Sequence, residues 1–99
     1  MVYVQLKKST NKNKKYTAVF YDKERRKIKS VSFGSAGMND YTLTNDNEAK
    51  TRYIARHSAN ENFNDYMTAG SLSYNLLWNK PTLSASYNDY IKKFNLKKY

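Results

Sequence analysis

TAGSLSYNLLWNKPTLSASYNDYIKKF, residues 68 to 94, holds the densest set of core-forming side chains in the chain, and the other segments can be placed around it. Its spacing is helical twice. Leu72 and Leu76 are one i,i+4 step, while Leu83, Tyr87, Tyr90, Ile91 and Phe94 recur at i, i+4, i+7, i+8 and i+11, one stripe on one helix face. Pro81 divides the two runs, because proline lacks the amide donor of a helix interior and pushes the preceding residue out of helical backbone. The spacing therefore predicts one helix ending by about Asn79 and a second capped by Thr82.

Upstream, a third helix is expected from about Asp46 to His57. Asn45 with Glu48 three positions later resembles a capping box, and Asp46 and Glu48 put negative charge where the helix dipole favours it. Ala49, Tyr53 and Ile54 form its inward side. Between this helix and Thr68, the segment from Asn60 to Tyr66 is polar except for Phe63 and Tyr66, which are expected to pin an ordered loop.

The first third has a different period. Met1 to Leu6 alternates Val2, Val4 and Leu6 against Tyr3 and Gln5, and Tyr16 to Tyr21 and Lys27 to Phe33 alternate in the same way. The polar DKERR turn joins the last two as a hairpin, and the first strand is expected beside them. KKSTNKNKK, residues 7 to 15, has no apolar side chain and reads as a solvated loop. Gly34 and Gly37 mark the exit from the sheet; the lysine and spacing of a phosphate-binding loop are missing there. The expected fold class is α+β: one domain over residues 1–99, with a three-stranded antiparallel meander in 1–33 and three helices in 44–99 packed on one face.

Charge gives the functional lead. The net charge is +10, and residues 1–33 alone carry ten cations against two acids, while 34–65 sum to −2 and 66–99 to +4. Such a surplus favours a polyanion, since lysine and arginine displace condensed counterions from nucleic-acid phosphates. Lys12, Lys14, Lys15, Lys23, Arg25, Arg26, Lys27 and Lys29 are the candidate contacts, with the arginines suited to bidentate bonds to bases and the lysines to phosphate. The expected partner is nucleic acid, duplex DNA first, because a two-stranded ribbon fits the major groove. Tyrosines such as Tyr3, Tyr16 or Tyr21 could instead stack on the bases of a single strand. Solubilising charge on an edge hairpin is the plainer alternative.

Catalysis has little to work with. The chain has no cysteine and one histidine, His57, whose sequence neighbours Ser58 and Asp65 do not by themselves make a triad. No metal-ligand spacing occurs, and no cofactor is expected. No apolar run is long enough for a membrane span, and MVYVQL is too short for a secretory signal.

FGSAGMNDYT (33 to 42), RYIARH (52 to 57) and the stretch from Thr68 to Phe94 resemble a family of small uncharacterised proteins of nucleocytoplasmic large DNA viruses, the giant viruses. That resemblance implies a virion or infected-cell setting and assigns no activity. A non-enzymatic, sequence-tolerant nucleic-acid binder or genome organiser is the leading expectation. The alternative is a virion structural or protein-interaction module, for example a homodimer paired through an exposed strand edge or through the tyrosines.

Overall fold

The structure is a computed structural model that describes residues 1–59 and 61–99. Period-two alternation does place the first third in a sheet: β1 (Tyr3–Lys8), β2 (Lys14–Tyr21) and β3 (Lys27–Ser35) run antiparallel with β2 in the middle. Val4 pairs with Phe20 and Leu6 with Ala18, while Tyr16 and Ala18 meet Phe33 and Val31 across the other ladder. These side chains share one face, and all of them contribute to the core or pack against it. Tyr3, Gln5 and Lys7 pair with Tyr21, Val19 and Thr17 on the opposite face.

Among the described residues four helical segments follow: α1 (Tyr41–Thr44), α2 (Asn47–His57), α3 (Ala69–Leu77) and α4 (Leu83–Lys93). Each starts on a side-chain cap. Asp40, Asp46, Thr68 and Thr82 accept hydrogen bonds from first-turn amides that would otherwise be unpaired. The cap of α2 is thus Asp46, one residue later than expected, because Asn45 is held in the left-handed region (φ 53°) closing α1. The Pro81 break falls where the sequence puts it. Its loop is fastened by Ser86, a fully buried serine whose hydroxyl accepts from the Lys80 amide at 2.9 Å.

The core joins the two halves. Val4, Ala18, Phe20 and Phe33 from the sheet meet Leu72, Leu76 and Leu77 from α3, Tyr90 from α4, and Leu96. Full burial of a side chain of this size contributes about 1.5–3 kcal/mol. Leu83, Tyr87, Ile91 and Phe94 line the same side of α4, so the stripe acts as one face. Two tyrosines on it also bridge to main chain: the Tyr90 hydroxyl donates to the Tyr66 carbonyl at 2.5 Å, and the Tyr87 hydroxyl to the Val4 carbonyl at 3.1 Å. Burial raises the pKa of both phenols. Tyr66 packs on Phe20, and Phe63 stacks on Tyr74 at 4.2 Å, so the loop before α3 is pinned by the two expected rings. Asn60, at the start of that loop, lies outside the described residues.

Three features were not expected. Lys97–Lys98 form β4, a short parallel partner of β1 that makes the sheet mixed, in the order β3-β2-β1-β4. Two residues carry no readable period; backbone bonds define them, from the Lys97 amide to the Val2 carbonyl and from the Tyr99 amide to the Val4 carbonyl, both 3.0 Å. The lysine-rich loop is also shorter than expected, because β1 extends to Lys8 and β2 begins at Lys14. Ladder pairing outweighs side-chain polarity there. Helix α1 is a single turn, too short to show periodicity.

Candidate nucleic-acid interface

The β2–β3 connection is a tight turn. The Arg25 amide donates to the Asp22 carbonyl at 2.8 Å and the Asp22 amide to the Arg26 carbonyl at 2.9 Å. Arg25 then takes a left-handed conformation, φ 64°, the position that such three-residue hairpin loops usually give to glycine. The Asp22 carboxylate accepts from the Glu24 and Arg26 amides at 3.0 and 2.9 Å. The Arg26 amide bond is the main reason that its pKa lies below the ordinary value, with the Arg26 charge and the Glu24 amide adding to it.

The turn conformation decides where the cations go. Arg26 is drawn to the two acids of its own turn, 3.4 Å from Asp22 and 3.6 Å from Glu24, in exposed pairs of small energetic weight. Arg25 folds back over the sheet face turned away from the core, with its guanidinium carbon 4.9 Å from the Tyr3 ring centroid and 5.5 Å from that of Tyr99. Tyr99 in turn stacks on Tyr21, with centroids 3.9 Å apart and planes 19° apart. The Tyr21 hydroxyl donates to Gln5 Oε1 at 3.1 Å, which ties the ring to the neighbouring strand β1. Three tyrosines and an arginine thus share one end of this face. Lys97 sits opposite Tyr3, Lys27 opposite Tyr21, and Lys7 lies further along β1.

The expected contacts divide into three groups. Lys23, Arg25, Arg26, Lys27 and Lys29 gather at the hairpin tip and the adjoining half of β3, all exposed. Lys12 and Lys14 lie at the other end of the hairpin, also exposed. Lys15 stands apart. Its side chain is 14% exposed and its ammonium pairs with Asp40, itself 3% exposed, so it belongs to the fold's interior and, contrary to expectation, is not an available surface cation. Tyr16, a candidate for stacking, packs on Phe33 within the core side of the sheet. Lys7, Lys97 and Tyr99 join this face without a sequence signal that marks them as contacts. Lys7 looked like loop, and the other two depend on a strand that has no sequence signal.

A second feature lies at the far end of the hairpin. A cleft of about 350 Å³ opens between the end of β3, α2 and one side of α3, with Phe33, Leu77 and Trp78 among its apolar lining and Lys14, Arg56 and His57 among its polar lining. Tyr53 is sandwiched there between His57 (4.2 Å) and Trp78 (4.5 Å). Burial is the chief cause that pushes the Tyr53 phenol up to about 12, with the Glu61 charge adding to it. Of the neighbours considered for His57, Asp65 instead accepts from the Met67 amide, and Ser58 caps the end of α2. No cluster of metal-ligating side chains occurs among the described residues.

The Family of unknown function (DUF5754) matches residues 4–57, more than half of the sequence. The chain belongs to that family. The matched segment runs from β1 to the end of α2 and so contains the basic hairpin and one wall of the cleft, whereas α3, α4 and β4 lie outside it. No curated protein and no solved structure matches this DUF5754 member. Among its described residues, no helix is long and apolar enough to cross a membrane.

Proposed function

We propose that this protein binds nucleic acid, and that its contact surface is the sheet face turned away from the core together with the adjoining hairpin tip. The observation that carries the reading is the grouping of Tyr3, Tyr21 and Tyr99 with Arg25 at one end of that face, with Lys27 and Lys97 opposite two of the rings. Flat rings offer sequence-tolerant stacking to bases, and the cations beside them offer phosphate contacts. The two acids of the hairpin tip, Asp22 and Glu24, pair with Arg26.

This arrangement supports a single strand laid across the sheet better than a duplex gripped by a projecting ribbon. A ribbon reading major-groove edges projects its arginines outward from the tip, whereas Arg25 lies back over the tyrosines, where its guanidinium is within reach of a strand laid across the sheet face. In the setting that the resemblance implies, a large DNA virus, the substrate would be viral DNA or RNA in unpaired form. A mobility-shift comparison of single-stranded DNA, duplex DNA and RNA at two ionic strengths tests the reading. Preference for either single strand, weakened by salt, supports it; no retardation of any probe at low salt refutes it.

A second reading rests on the free outer edge of β3, which has no strand partner among the described residues. Two copies paired edge to edge would form the homodimeric structural module that is the alternative to nucleic-acid binding. Lys27 and Lys29 oppose it, because charged side chains on an edge strand disfavour pairing with a like strand. A dimer that persists at high salt without any nucleic-acid binding would favour this second reading.

A further inference from the structure

The cleft beside Tyr53 is separate from the sheet face just described, and its lining points to a ligand of its own. We propose that it binds a mononucleotide-like ligand, a planar ring joined to a phosphate. Its volume, about 350 Å³, lies at the small end of the roughly 300–1,000 Å³ usual for ligand clefts.

Two features select the chemistry. The first is an aromatic wall: Trp78 and Tyr53 lie parallel within 7°, and Trp78, half-buried, keeps part of its surface on the cleft. A planar ring can extend that stack. The second is charge without a partner. Lys14 and Arg56 line the cleft, and no carboxylate lies within ion-pairing distance of either among the described residues.

The cleft also holds two acids, one of them paired, so its cations Lys14 and Arg56 outnumber the unpaired carboxylate of Glu61. Asp40 is neutralised by Lys15. The Glu61 carboxylate rests against Gly70, where any Cβ would collide with it, in the first turn of α3 whose dipole favours negative charge. The cations that remain favour an anion, and guanidinium suits the bidentate geometry of phosphate.

Trp78 is the only tryptophan in the chain, so its emission reports directly on the cleft. Titration of the full chain with adenosine monophosphate should change that emission saturably, while adenosine and inorganic phosphate should each bind at least about tenfold more weakly, as expected when a charged hydrogen bond or the stacking surface is lost. Arg56→Ala and Lys14→Ala, both at exposed positions, should weaken the response by a similar factor with an unchanged circular dichroism spectrum. No saturable change with adenosine monophosphate overturns the proposal. So does adenosine binding as tightly as its monophosphate, or unaltered affinity in both variants. Substituting Lys7 or Lys97, on the opposite face, should leave this titration as it is, which separates the cleft from the nucleic-acid surface.

Discussion

Lys15 on β2 and Asp40 at the start of α1, twenty-five positions apart, form a nearly buried ion pair that ties the sheet to the helical half. Asp40 also caps α1, accepting from the Thr42 amide at 2.9 Å and from the Thr42 hydroxyl. Removing one member of a buried pair leaves the other charge desolvated and alone, a cost of about 3–5 kcal/mol. Asp40→Ala should therefore lower the urea midpoint sharply, and Lys15→Ala should do the same. A change below about 1 kcal/mol in both would mean that the pair is solvated and weak.

Gly34 is a second point where the hairpin end meets α3. Its φ is +78°, and a Cβ built there would lie 2.8 Å from Leu77 Cδ1. Alanine would combine the cost of left-handed backbone, about 1–2 kcal/mol, with that of overpacking, about 1–3 kcal/mol. Gly34→Ala should accordingly destabilise the protein by about 2–5 kcal/mol in chemical denaturation. Wild-type stability would show that neither the backbone nor the packing is constrained there.

Tyr90 is fully buried, and its hydroxyl satisfies the Tyr66 carbonyl in the loop that leads into α3. Phenylalanine keeps the ring and strands the carbonyl, so Tyr90→Phe should cost about 1–3 kcal/mol. A neutral effect would indicate that water takes over the bond.

Alkaline pH should unfold the protein early. The Tyr53 pKa is pushed up to about 12, and burial raises those of Tyr87 and Tyr90 as well. The unfolded phenols lose their protons near pH 10, before the folded ones do. The unfolded state then binds fewer protons than the folded state, and stability falls as pH rises from about 10 to about 12. Below pH 10 these phenols are neutral in both states and their contribution is fully present. Thermal melts between pH 8 and pH 12 check this; a melting temperature flat across that range would contradict it.

Much of the framework was legible in the sequence because its period is a direct image of packing. The α4 stripe from Leu83 to Phe94, the break at Pro81, the Thr82 cap and the β2–β3 hairpin all follow from local rules. Ser71 and Asn75 did not follow: both are buried, with Ser71 Oγ donating to the Phe63 carbonyl and Asn75 Nδ2 to the Ser71 carbonyl. Their polarity suggests solvent unless the loop that they fasten is already known. The candidate site was legible only as a charge excess. Which cations are surface groups depends on tertiary partners: Asp40 claims Lys15 from 25 positions away, and Arg25 is directed onto the tyrosines by its own left-handed backbone.

The most direct test of the sheet-face interface is the salt dependence of single-strand binding by the wild type and by Arg25→Gly. Glycine suits the left-handed position, so folding stability should stay within about 1 kcal/mol of wild type while the cation over the tyrosines is lost. With fluorescence anisotropy on a labelled oligothymidine, about four phosphate contacts by the wild type give a slope of log K against log salt near −3, and Arg25→Gly makes it shallower by about 0.7. A wild-type affinity unchanged between about 50 and about 200 mM salt, or equal slopes and affinities for the two proteins, would contradict a nucleic-acid surface built around Arg25.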